Sequence, residues 1–572
     1  MQQMKQIQKY ILIITLVVLT GGTAFAQIQT DVPALKDVYA NDFYIGCLLS
    51  YKHVGFPSDP DVPGQSSLLY PNGDGGYLIK FHMNSMSPGN NMKPQYTVDL
   101  SGSASAYASA STQAAKDSID IHPIIKFNGD LIAQLNWAQR QGFTFRGHTL
   151  VWYNQTPGPA FFYSGYNTTS GTRLSKEKMT QRMENYIKEV IRLVHENWPG
   201  LLSAFDVVNE AVNENGTDRT TNNEWYTTFG DNSYIMKAFE FARKYTVEYG
   251  ETQIKLYYND YNTHNSAKAD GIVRVCGPIF RAGYLDGIGM QEHDGIAYPT
   301  AEQWIASYNK FDTICTEMAV TELDVKTGSN TPSATQLASQ ANQYAQLFKC
   351  FVERSYRSGR GKIINVSKDG LNDQYTFVNE ATSLWDANNQ CKPAFYSVVN
   401  VGLYYNILDS LISYADTLKE DNYTPTSWQP FSEALMHAKQ VRDSNFSVNV
   451  PADTALMNAK EELASAIDGL VKQVSAVKAP TTQMPYAFNL NQNYPNPFNP
   501  TTRIEFSLPE ASTIELELYD VLGKQVLTIA QGMYSAGAHQ IVFNGSNLAS
   551  GIYFYKLQTG QYFAVKKLTI LK

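Results

Sequence analysis

The sequence has no surplus of basic residues. Its 45 Lys and Arg stand against 53 Asp and Glu, a net charge of −8, so the cationic footprint of a nucleic-acid-binding protein is missing. Cysteine is scarce too. Cys47, Cys276, Cys315, Cys350 and Cys391 are the only five, and no pair sits at metal-ligand spacing. An odd number leaves at least one thiol free; buried free thiols and bridges stay equally open, and no pairing is assigned. Neither a metal nor a cofactor is expected. Beyond residue 26 no hydrophobic run approaches the length of the N-terminal one, which argues against a membrane span in the mature chain. Charged residues make up only 17% and hydrophobic ones 43%, a balance that suits a globular protein. Aromatics are plentiful at 12%, with 37 Tyr, whose ring faces suit both core packing and stacking on sugars. At 572 residues, two to four domains are expected.

The start reads as an export leader over residues 1–26. Lys5 and Lys9 precede an apolar run from Tyr10 to Leu19, and Ala24-Phe25-Ala26 forms the cleavage site. Residues 27–402 alternate strand-like runs with amphipathic helical patterns. The strand candidates are Phe43–Ser50, Leu78–Met86, Phe143–Trp152, Ala204–Glu210, Ile254–Tyr261, Leu285–Gln291, Glu317–Leu323 and Lys362–Val366. Repeated βα units imply a parallel sheet, and eight of them an α/β fold closed as a (β/α)8 TIM barrel. The Ser- and Ala-rich stretch Ser101–Ala115 reads as an insertion in a βα loop. Residues 403–472 carry three helical faces and no strand pattern, which predicts a small three-helix module. Residues 473–484 read as a linker. From residue 485 to 572, six or seven short strands punctuated by Pro and Gly predict a small C-terminal β-sandwich.

Two acidic residues end two candidate strands: Glu210 closes Phe205-Asp206-Val207-Val208-Asn209-Glu210, and Glu322 closes Ala319-Val320-Thr321-Glu322. All strand C-termini of a parallel barrel share one face, so both carboxyls are expected in one cleft. Two carboxyls of unequal pKa are what glycoside hydrolysis requires, one as proton donor and one as nucleophile. Other strand ends add polar neighbours: Gly147-His148-Thr149-Leu150-Val151-Trp152, Tyr258-Asn259-Asp260-Tyr261-Asn262 and Gly287-Ile288-Gly289-Met290-Gln291-Glu292-His293. His, Asn and Gln suit sugar hydroxyls, and Trp152 suits stacking.

These segments, with TELDV and CKPAF, resemble glycoside hydrolase family 10, whose members are mainly endo-β-1,4-xylanases, over residues 35–399. The resemblance implies retaining hydrolysis of xylan by double displacement, with Glu210 as acid/base and Glu322 as nucleophile. It implies that Asn209 bonds the glycone 2-hydroxyl, that Lys93 and His148 contact the 3-hydroxyl, and that Asn90 and Gln155 line the next subsite. Gln291 is implied as a polar contact near both acids. His293 is implied as the partner of the nucleophile, oriented by Asp324. The helical module resembles FIVAR modules. The tail, through Asn493-Tyr494-Pro495-Asn496-Pro497-Phe498-Asn499-Pro500, Tyr519-Asp520-Val521-Leu522-Gly523 and Leu548-Ala549-Ser550-Gly551-Ile552-Tyr553, resembles the type IX secretion sorting domain. It implies export by that machinery to the surface or surroundings of a Bacteroidota-like Gram-negative cell. A monomer acting on xylan or a related β-1,4-glycan is expected.

The family pattern is not kept everywhere. Gly89 stands where the family has a glutamate that grips the distal xylose, Tyr153 replaces a His, and Asp369 and Phe377 fall where two Trp usually enclose the glycone. Losing one stacking Trp weakens binding by about 1–3 kcal/mol if nothing replaces it. Three rival readings therefore stand: a β-1,4-glucanase or mixed glycanase on the same barrel, a non-catalytic surface glycan binder, and a transglycosidase.

Overall fold

A computed structural model describes residues 28–48, 75–373, 378–443, 452–473, 487–521, 523–560 and 562–571. The expected leader, Phe377 and nearly all of the expected linker lie outside them. The chain divides into two compact units, Met1–Gln473 and Val474–Lys572.

In the first unit, nine strands form one parallel sheet: β1 (Tyr44–Leu48), β2 (Ser85–Ser87), β3 (Thr144–Trp152), β4 (Leu202–Asn209), β5 (Lys255–Asp260), β6 (Gly287–Met290), β7 (His293–Gly295), β8 (Glu317–Lys326) and β9 (Ile363–Lys368). β1 pairs with β9 and β6 with β8, so eight strands close into a TIM barrel and β7 is a short addition on the rim of β8. The strands read as near-continuous apolar runs because helices cover their outer faces. β3, for instance, is buried from its second residue to its last.

The second expected strand is corrected in part. Residues Gly75–His82 form a helix, and only Ser85–Ser87 is strand. Leu78 and His82, and likewise Ile79 and Met83, are fully buried pairs four residues apart, which is a helical period. A short apolar run does not show which period applies, and packing decided it. The Ser- and Ala-rich stretch between β2 and β3 is also helical, as Leu100–Ser109 and Gln113–Ile121. Asp99 and Thr112 cap the two helices by accepting from Gly102 N and Ala115 N.

Three further helices, Pro393–Ala415, Pro425–Asp443 and Ala452–Asp468, follow β9. Leu408, Ile412, Phe431, Ala438, Leu456 and Leu463 join the hydrophobic core that contains Phe348 and Phe351 of the barrel helix Ala334–Glu353. The expected boundary at 402–403 falls within the single helix Pro393–Ala415. All five cysteines are unbridged, four of them buried. Among the described residues, no helix is long and apolar enough to cross a membrane.

The second unit is a sandwich of two antiparallel sheets. One contains β10 (Asn489–Leu490), β11 (Thr501–Leu508) and β14 (Gly537–Asn544). The other contains β12 (Ser512–Tyr519), β13 (Gln525–Tyr534), β15 (Gly551–Thr559) and β16 (Phe563–Ile570). Ile504, Phe506 and Leu508 alternate inward, as do Ile514, Leu516 and Leu518, and together they form a separate apolar core.

Candidate active site

Strand register assembles the site. β4 and β5 set Asn209 beside Asn259, β3 and β4 set Trp152 beside Asn209, and β7 and β8 set His293 beside Asp324. Glu210 follows β4 directly, and Glu322 lies within β8. The Glu210 backbone sits at φ +55°, a left-handed conformation that costs a non-glycine residue about 1–2 kcal/mol. Both of its peptide groups are tied down. Its N–H donates to the Asn259 carbonyl at 2.9 Å, and its own carbonyl accepts from Arg219 Nε at 2.7 Å.

The two carboxylates belong to one hydrogen-bonded group. Asn259 Nδ2 donates to Glu322 Oε1 and to Asn209 Oδ1, both at 3.0 Å. Asn209 Nδ2 in turn donates to Glu210 Oε1 at 3.3 Å. Gln291 Nε2 reaches Glu210 Oε1 at 3.0 Å and Asn209 Oδ1 at 3.2 Å. Thr321 Oγ1 fixes the Asn259 amide by donating to its oxygen at 2.7 Å. Gly289 makes room for this amide, because a Cβ there would collide with Asn259 Oδ1.

His293 stands between two acids. Its Nε2 is 3.5 Å from Glu322 Oε2, and its Nδ1 is 3.4 Å from Asp324 Oδ2. Burial alone would discharge this imidazole. Hydrogen bonding to Asp324 and Glu322, and their charges, instead hold its pKa well above the usual histidine value. Burial likewise pushes the Glu322 carboxyl up, but the His293 hydrogen bond and the fields of His148, His293 and Lys93 outweigh it and bring it down to about 2. Glu210 moves the other way. Burial raises it, the Asp260 charge and then Glu322 add to the rise, and the Gln291 hydrogen bond opposes it.

A second cluster lines the same cleft. Lys93 Nζ donates to Asn90 Oδ1 at 2.8 Å and Gln155 Oε1 at 2.9 Å, and lies 4.6 Å from the centre of the Trp152 ring. Burial lowers the Lys93 pKa, while the charges of Glu322, Glu210 and Asp369 oppose that. His148 Nδ1 lies 2.9 Å from Asp206 Oδ2, and Asp206 is also the partner of Arg146 within the barrel. The structure thus brings Asn90, Lys93, His148, Trp152, Gln155, Asn209, Gln291, His293 and Asp324 to the two glutamates.

The departures from the family pattern also have places. Gly89 adopts φ +55°. Tyr153 lies under the Arg219 guanidinium, 4.3 Å from ring centre to carbon. A ligand atom of Asp369 is within 4.8 Å of those of His293 and Asp324, and burial pushes its carboxyl up to about 6. Asn259, expected from its strand end only to suit a sugar hydroxyl, instead links Asn209 to Glu322. No role is expected of Arg219 or Asp206 from the sequence. The sequence shows Asn259 as a strand-end amide without showing that it faces Asn209, and Arg219 lies in a loop that carries no signal.

The family model of glycosyl hydrolase family 10 matches residues 34–401. The chain belongs to glycosyl hydrolase family 10. A secretion system C-terminal sorting domain matches residues 492–571, which indicates secretion or a place at the cell surface. Endo-1,4-beta-xylanase Y of Acetivibrio thermocellus is 33% identical over 386 residues, 64% of this chain and 32% of that protein, so this family 10 chain spans about a third of its relative. The barrel also matches the crystallised N-terminal endo-1,4-beta-D-xylanase 10B of Clostridium thermocellum in complex with xylohexaose. That match has a TM-score of 0.52 and 30% identity, over 66% of this chain and 69% of the other. An intracellular xylanase of Thermoanaerobacterium saccharolyticum matches with a TM-score of 0.52 and 26% identity, over 65% of this chain and all of its own.

Proposed function

We propose that this chain is a secreted, retaining endo-β-1,4-xylanase. The observation that carries the reading is the opposite displacement of two carboxyls within one hydrogen-bonded group. Glu322, driven down to about 2, is ionised and fit to attack an anomeric carbon. Glu210, raised by burial and by Asp260, keeps its proton to higher pH than an ordinary carboxyl, the direction a proton donor to the leaving oxygen needs. The attack forms a covalent glycosyl-enzyme. Glu210, now ionised, takes a proton from the water that releases the sugar with its configuration retained.

Asn209, bridged to both acids, is placed to bond a sugar hydroxyl next to the reacting carbon. Lys93 and His148 reach the neighbouring hydroxyl, and Asn90 and Gln155 the next ring. Cationic His293, held by Asp324, keeps Glu322 ionised and aimed. The relatives, endo-1,4-beta-xylanases, support xylan as the substrate. The sorting domain supports export by a type IX system in a Bacteroidota-like cell.

The test is release of reducing ends from arabinoxylan, glucuronoxylan and mixed-linkage glucan, with the anomeric form of the first product followed by NMR. Xylan cleavage with a β-configured first product is expected. Faster cleavage of glucan would replace xylan as substrate; xylan binding without any product would leave a glycan-binding protein.

A further inference from the structure

Behind the catalytic rim lies a second group of ligand-bearing side chains that the hydrolytic mechanism does not use. His264 follows β5, Glu292 follows β6, and Asp294 is the middle residue of β7. Successive residues of a strand face opposite ways, so Asp294 points away from the side on which His293 meets Glu322. One ligand atom from each of His264, Glu292 and Asp294 lies within 4.8 Å of the others. Asp294 is completely buried and Glu292 is 1% exposed.

Most of these atoms lack protein partners. Glu292 Oε1 accepts from Thr263 Oγ1 at 2.8 Å. Glu292 Oε2, both oxygens of Asp294 and His264 Nδ1 meet no hydrogen-bond donor among the described residues, and the Asp294 carboxyl faces that of Glu292. Two buried carboxyls side by side without a cation cost several kcal/mol each when ionised. Burial, the neighbouring Glu292 charge and a hydrogen bond with the Glu292 carboxyl push the Asp294 carboxyl well up.

From this geometry we infer a structural divalent-cation site in which His264 Nδ1, Glu292 Oε2 and an Asp294 oxygen bind a first-row metal of the zinc class. One imidazole and two carboxylates suit zinc, whereas calcium takes six to eight oxygens. A doubly charged ion would neutralise both acids. It would also tie the loop after β5 to the segment that carries His293, and so support the group that orients the nucleophile.

The test uses the full chain, stripped with EDTA and dialysed against zinc, manganese or calcium chloride. Metal content is read by elemental analysis and stability by thermal melting. Expected are one zinc per chain and a Tm rise of about 3–6 °C. His264→Gln and Asp294→Asn, prepared separately, should lose both. Zinc held equally by wild type and His264→Gln would overturn the assignment and move the metal to His293, Asp324 and Asp369. Stabilisation by calcium but not zinc would remove His264 as a ligand. If wild type neither binds nor is stabilised by any of the three metals, the two carboxyls share a proton and no metal site exists.

Discussion

Glu210 and Glu322 are the same residue type on one rim of one barrel, the first buried and the second largely so, yet their affinities for a proton diverge. Burial raises both. What separates them is the charge each one faces. Around Glu322 stand His293, His148 and Lys93, whose fields lower it. Around Glu210 stand the anion of Asp260, itself paired with Lys268 at 2.9 Å, and the neutral amide of Gln291. Neighbouring charge, more than depth, drives the two carboxyls apart.

Breaking the nucleophile side should have the largest effect. Glu322→Ala is expected to lower kcat/KM on xylan by roughly 10⁴-fold or more, with an unchanged circular dichroism spectrum; retained turnover would reject its role. Glu210→Ala should cost about 10²–10⁴-fold on xylan, and much less on aryl glycosides whose leaving group needs no proton. Equal losses on both substrates would remove it as the acid. His293→Ala deletes a charge-assisted hydrogen bond of about 1.5–3 kcal/mol, a loss in kcat of roughly 10- to 160-fold. It should also move the acidic limb of the pH–rate profile upward, because Glu322 then loses its main ionising partner. An acidic limb left in place would reduce His293 to a packing role.

The smallest effect is the sharpest. In the wild type, activity should fall as pH drops toward about 2, where Glu322 takes up a proton. It should also fall as pH rises through the elevated pKa of Glu210, where the acid is lost. Asp260→Asn removes an anion that helps raise Glu210, so the alkaline limb should move to lower pH while the acidic limb stays. A shift of the acidic limb instead would show that Asp260 acts on Glu322. The Glu322 shift also bears on stability. Its depressed pKa adds stability above the ordinary carboxylate range, and this is lost as pH falls toward about 2.

The barrel, the sandwich and the strand-end residues of the site were readable in the sequence. Parallel strands are buried on both faces and leave apolar runs, sandwich strands alternate, and polar residues at strand C-termini break both patterns. Leu78–His82 of the expected strand Leu78–Met86 belongs to the Gly75–His82 helix, because its apolar run fits either period. The bridge through Asn259 and the unpartnered group of His264, Glu292 and Asp294 were not readable. Each joins side chains from different strands, and strand register alone decides which of them touch.

The chain's own order of residues determined that eight βα units would close and that Glu210 and Glu322 would share a rim, because parallel strands all end on the same side. Tertiary structure alone decided which of the two carboxyls is pushed up and which is brought down. That outcome depends on charges brought within a few ångströms from segments up to more than two hundred residues apart, such as Lys93 and His293 beside Glu322. Coulombic effects follow distance in space, and sequence separation does not report it.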